Sequence, residues 1–186
     1  MRIGRSALTL VALTAVVTGC SDDGNDEFAA RTYVEVDTAT LDATDLQPPE
    51  GETVLEVTGG LVTNTDDGLE LDLDMLERMR TVELELFEPF VEERMTFRGV
   101  PLEDVVELAG VPDGATTMRT VALNEYEVDI PLDVLDTEGV LLAYEGDGVP
   151  LALDEGGPIR IVFADDHPDV ANESLWNWSL AAIDLR

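Results

Sequence analysis

An α+β domain is the fold class that the sequence predicts. Three observations carry this. Short segments alternating apolar and polar residues recur from residue 53 to the C-terminus, two or three short helical patterns interrupt them, and no internal repeat is present. Taken in order, Tyr33, Val34, Glu35 and Val36 can form a short edge strand, and Thr53–Thr58 (TVLEVT) is an alternating strand ended by Gly59-Gly60. Residues 64–68 (NTDDG) have hairpin-turn composition. Leu69, Leu71 and Leu73 then alternate with acids, and Asp74 is placed to cap a short helix over 75–80. Residues 82–87 (VELELF) alternate again, and 95–97 continue that sheet. Pro101 opens a helix over Leu102–Ala109, whose apolar residues keep helical spacing until Gly110.

Strands over 118–123 and 127–130 follow, with a bend at Asn124, Glu125 and Tyr126. Pro131 starts a helical turn over 132–135. Residues 140–144 are a strand, Asp147-Gly148 is a turn, 158–163 (PIRIVF) reads as a central strand, and 176–180 and 183–185 close the sheet. In the bend, Asn124 and Tyr126 either offer donors and acceptors to a ligand or satisfy the turn backbone and pack at the core edge.

Charge narrows the function classes. The 186 residues hold 41 acids against ten basic residues, all of them Arg, for a net charge of −31. Such a surface repels nucleic acid, whose phosphates need Lys and Arg, and it repels anionic membranes. Adaptation to salt and base-composition bias in a GC-rich genome both produce this pattern.

The first twenty residues read as an address. Arg2 and Arg5 precede an apolar run over 7–17 that is too short to span a bilayer, and Val17-Thr18-Gly19-Cys20 follows. This end resembles the bacterial lipobox. The resemblance implies a signal peptide over 1–19, cleavage before Cys20 and lipid attachment to its sulfur, which would hold the chain outside the cytoplasmic membrane. Residues 20–50 read as a lipidated acidic tether ending at Pro48-Pro49, and 51–186 as the domain. Cys20 is the only cysteine, so a lipidated chain has no thiolate left for a disulfide, a nucleophile or a metal.

Several motifs then fall into one order: TFRGVPL at 96–102, a helix ending Ala109-Gly110, ALNEY at 122–126, Ile130-Pro131, Leu142-Ala143-Tyr144, Asp147-Gly148, Pro150-Leu151, GPIR at 157–160 and a closing Trp176. Together they resemble the molybdopterin-binding domain of the sulfite oxidase superfamily, closest to its small single-domain bacterial members. The resemblance covers about residues 52–186. It implies an α+β fold of mixed sheets with a few short helices and, in the enzymes, a molybdenum–pterin cofactor that transfers oxygen atoms. There a Cys thiolate following a strand before the FRGVPL-like segment ligates the metal. Here that region, 82–92, contains no Cys, and Leu175 stands where the enzymes carry a basic residue before the closing Trp. A thiolate is not replaced without changing the metal's chemistry. Molybdopterin is thus the cofactor the family implies, without its protein ligand.

Arg160, Asn124, Tyr126, Trp176 and Arg98 are the ligand-binding candidates. Arg160 in GGPIRIV is either an anion contact or the centre of a salt-bridge network, with Gly156 and Gly157 allowing close backbone approach. Trp176-Asn177-Trp178 either walls a pocket or alternates across a strand. His167, the only histidine, reads as an exposed residue in an acidic loop rather than a metal ligand. Asp66, Asp67, Glu70, Asp72 and Asp74 lack EF-hand spacing and read as a solvated acidic face. No Ser has an adjacent base for hydrolase chemistry. Three functions fit: a non-redox ligand-binding or sensory module partnering a membrane protein, an oxidoreductase with an atypical cofactor either non-covalently held or ligated by a carboxylate such as Glu85 or Glu88, and a structural envelope protein.

Overall fold

The computed structural model describes residues 33–38, 41–44 and 46–186. Cys20 and the predicted signal peptide lie outside them. Among the described residues are eleven strands and two α-helices: β1 (Tyr33–Asp37), β2 (Thr53–Thr58), β3 (Leu69–Asp72), α1 (Leu73–Glu77), β4 (Thr81–Glu88), β5 (Glu93–Pro101), α2 (Leu102–Ala109), β6 (Thr117–Ala122), β7 (Glu127–Pro131), β8 (Val140–Gly146), β9 (Val149–Pro150), β10 (Arg160–Phe163) and β11 (Leu180–Leu185). They form a six-stranded sheet in the order β1-β4-β5-β8-β10, with β9 on β8, and a five-stranded sheet in the order β3-β2-β11-β6-β7. Pairing is antiparallel except for β2 with β11. This is the expected α+β class of mixed sheets with few helices.

Period-2 alternation becomes the buried face of each strand. Leu55 and Val57 of β2, Leu69 and Leu71 of β3, and Val82, Leu84 and Leu86 of β4 all enter one continuous core. Helix α2 covers it with Leu102, Val105, Val106, Leu108 and Ala109, and ends at Gly110, whose φ is 71°. Glycine in the FRGVPL segment has a packing reason. A Cβ on Gly99 would stand 2.2 Å from the Leu142 carbonyl oxygen, where β5 shifts register against β8.

Five expectations are corrected. The first helix starts earlier, at Leu73, and its cap is Asp72, which accepts from Met75 N (2.8 Å) through one oxygen and from Gly51 N (2.8 Å) through the other. Asp72 is therefore buried rather than part of a solvated acidic face. Strand β10 is not central but ends its sheet. It reads as central because its outer edge is also bonded: Ile161 N donates to Asn177 O (3.0 Å). The 176–180 segment is correspondingly no strand until Leu180, since its backbone serves that edge. His167 is buried rather than exposed. Asp169 N donates to its Nδ1 (3.1 Å), so Nε2 carries the proton and donates to Val134 O (3.1 Å), while the ring packs edge-on to Phe163.

Strand β1 pairs with β4, Leu41 and Leu46 pack against the core, and the Gln47 carbonyl accepts from Asn64 Nδ2 (2.9 Å).

Candidate functional site

Three loops converge on one cavity of about 370 Å³, lined by Phe90, Ala122, Asn124, Tyr126, Glu173, Trp176, Asn177 and Trp178. The first loop turns β4 into β5. Glu92 takes a φ of 57°, and the Glu88 carboxylate accepts from Phe90 N (2.7 Å) and Val91 N (2.9 Å) through Oε2. Those two bonds place Phe90 at the cavity. The second loop joins β6 to β7. Asn124 Oδ1 accepts from Tyr126 N (3.0 Å), and Glu125 carries the left-handed φ of 66°. Asn124 thus serves the turn backbone and also lines the cavity. Tyr126 is exposed at the rim, with its hydroxyl donating to Ser174 O at 3.4 Å, rather than packed at the core edge. The third loop carries Glu173 to Trp178 and is tied to the second by Leu123 N donating to Ser179 O (2.8 Å).

Both tryptophans face this cavity. Phe90 meets Trp176 with ring centres 6.4 Å apart at 72°, and Trp178 at 5.3 Å and 75°. Trp176 is also a core residue, 3% exposed, tilted on Phe163 and donating Nε1–H to Val170 O (3.1 Å).

Arg160 stands behind the cavity and does not line it. Its guanidinium lies 4.1 Å from the Trp178 ring centre and 5.5 Å from that of Phe97. Nη2 donates to Glu88 Oε1 at 2.5 Å, with the two side chains 3% and 0% exposed, and Nη1 donates to Glu155 O (3.2 Å). Of the two roles considered for Arg160, the salt bridge is the one formed. Burial pulls its pKa below the ordinary arginine range, while the bond to Glu88 opposes that fall. The glycines before it admit this chain's own atoms. Gly156 sits at φ 87° against the Trp178 ring, and a Cβ on Gly157 would stand 2.0 Å from the Leu151 carbonyl oxygen.

Glu88 therefore organises the wall with one carboxylate. One oxygen holds the turn carrying Phe90, and the other holds the arginine stacked on Trp178. Arg98 takes no part. It lies on β5 facing Glu145, with Nη1 3.8 Å from the carboxylate. The cavity brings together the candidates Asn124, Tyr126 and Trp176 and the neighbouring Asn177 and Trp178, whereas Phe90 and Glu173 also line it and were not marked by the sequence. Phe90 lies at a hairpin tip with no periodicity to mark it, and Glu173 is one of 41 acids.

The fold and the site define a two-sheet α+β domain with an aromatic-lined cavity at its loop end. Residues 52–165 match the family described as the oxidoreductase molybdopterin binding domain, and the chain belongs to that family. No curated protein matches it. The crystal structure of the sulfane dehydrogenase SoxCD from Paracoccus pantotrophus superposes with a TM-score of 0.53 at 18% identity, covering 70% of this chain and 37% of that one. A likeness at this identity concerns the fold, and the chain spans little over a third of that protein.

The residues present do not fit a molybdenum–pterin cofactor. No thiolate exists among the described residues, and no group of three His, Cys, Asp or Glu side chains among them is arranged for a metal. Glu88 has both oxygens engaged, and Glu85 is an exposed partner of Arg94 at 2.7 Å. A pterin phosphate needs a cation, yet no arginine among the described residues lines the cavity, and Arg80, Arg94 and Arg119 each already bridge at least two carboxylates.

Proposed function

We propose that this chain is a cell-envelope lipoprotein whose molybdopterin-type domain works as a non-redox ligand-binding or sensory module. Lipid on Cys20 holds it outside the cytoplasmic membrane of a bacterium. A small molecule enters the cavity walled by Phe90, Tyr126, Trp176 and Trp178, and a membrane protein is the partner that reads its occupancy.

One observation carries the non-redox reading. In the region where the family's enzymes place their thiolate, this chain has a fully buried carboxylate, Glu88, neutralised by Arg160 and bonded to two backbone amides. A metal would have to displace a bonded ion pair in a dry setting, which costs several kcal/mol (about 3–5) for the uncompensated charge left behind. Reuse of the cavity for a ligand needs no such displacement.

The test is spectroscopic. Full-length protein purified from a host that makes and exports the cofactor is denatured and assayed for pterin fluorescence. None above background is expected. Pterin released in proportion to protein would contradict the reading.

A further inference from the structure

We infer that the cavity is an organic-cation site, built to take a small alkylated ammonium group. This rests on the reading above that the cavity binds a small molecule, and it names the chemistry of that molecule.

Four of the eight lining residues are aromatic, and the Phe90 ring stands near perpendicular to both indoles, at 72° and 75°. Rings meeting at right angles form a corner, which encloses a rounded group better than it stacks a flat one. Aromatic faces carry negative quadrupole charge, and a cation within about 6 Å of such a ring is attracted by it.

Among the described lining residues, the one ionisable acid or base other than Tyr126 has the same sign. Glu173 lines the cavity, and its carboxylate has no hydrogen bond or ion pair among the described residues. Asn177 is fully buried, and its orientation is fixed by its neighbour. Thr120 Oγ1 donates its only proton to Val128 O, so toward Asn177 it accepts, and Asn177 must present Nδ2 (2.9 Å). Its Oδ1 is thereby left as a buried acceptor with no partner. No Arg or His among the described residues lines the space. The Arg160 guanidinium, behind Trp178, is neutralised by Glu88.

An anion would find one unpartnered donor, Trp178 Nε1–H, but would face the aromatic ring faces and Glu173 with no lining Arg or His among the described residues. A metal ion would find one free carboxylate where it needs several oxygens. An alkylated ammonium, weakly hydrated and large, matches both the rings and Glu173, and the net charge of −31 raises cation concentration around the whole protein.

The chain's two tryptophans both line the cavity, so indole fluorescence reports on this site alone. Full-length protein is titrated, at fixed ionic strength in sodium chloride, with choline and with the alcohol that carries a tert-butyl group in place of trimethylammonium. The two probes share a shape and differ in charge. Saturable quenching by choline is expected, at least about tenfold tighter than by the alcohol. Glu173→Gln, an exposed substitution that keeps the thermal midpoint, is expected to weaken choline about fivefold and leave the alcohol unchanged. Equal affinity for the two probes would overturn the cation inference while leaving an apolar ligand site in place. Equal effects of choline and ammonium chloride would mean diffuse attraction to an acidic surface, and would overturn it as well. Silence from both probes would also overturn it, whereas the pterin assay, which does not depend on these probes, decides the non-redox reading separately.

Discussion

Arg160→Met is expected to destabilise the protein by about 3–5 kcal/mol, which lowers the thermal midpoint of a chain of this size by roughly 10 °C or more. Glu88 is 0% exposed, and Arg160 is its only ion-pair partner among the described residues. Removing the guanidinium strands a carboxylate in a dry interior, and the lost Coulomb energy is the smaller part of the damage. Trp178 and Phe97 also lose the cation between them. The double variant Glu88→Gln/Arg160→Met separates these effects. An amide oxygen still accepts from Phe90 N and Val91 N, and no buried charge remains. More than half of the stability should return, and the cycle should show a coupling of about 2 kcal/mol or more. Urea denaturation followed by circular dichroism measures all three variants. A single-variant cost below about 1 kcal/mol would mean that Arg160 does not compensate Glu88.

Trp176→Ala is expected to cost about 3–5 kcal/mol. This residue lines the cavity, but it is also packed on Phe163 and bonded to Val170 O through Nε1 (3.1 Å). Truncation opens a void in the core and leaves that carbonyl without its donor. Tyr126→Ala, in the same cavity, should change stability by no more than about 1 kcal/mol, because Tyr126 is exposed and its hydroxyl makes one bond of 3.4 Å. The contrast identifies Trp176 as part of the scaffold and Tyr126 as part of the rim. Equal small losses would contradict the packing described here.

Much of this fold is legible in local pattern, because period and punctuation are local properties. Thr53–Thr58 and Leu102–Ala109 have the same bounds in the sequence reading and in the structure. The misreadings share a physical cause, which is a contact distant in sequence. Asp72 and Asp74 are equally good caps by composition, and burial of Met75 and Leu76 together with the bond from Gly51 N selects Asp72. Arg160–Phe163 looks central because a segment without strand geometry covers its outer edge. His167 looks exposed in its acidic loop, yet Val134, far away in the chain, accepts its proton. The Glu88–Arg160 pair spans 72 residues, and nothing local marks either residue as the other's partner.

The candidate site divides in the same way. Asn124, Tyr126 and Trp176 lie on loops that the family pattern brings together, and the cavity collects all three. Arg160 belongs to that pattern too, but its guanidinium is paired with Glu88 and does not line the cavity. With Arg160 held by Glu88, no arginine among the described residues lines the cavity, whose aromatic rings stand beside Glu173, a residue whose carboxylate has no partner among them.

Elemental analysis for molybdenum and tungsten tests the central claim most directly. Full-length protein should be purified from a host able to make and export the cofactor. The buried Glu88–Arg160 pair predicts a folded protein with neither metal above trace level. A folded protein carrying one metal atom per chain would contradict it, and would mean that the family's redox chemistry survives here on a different ligand.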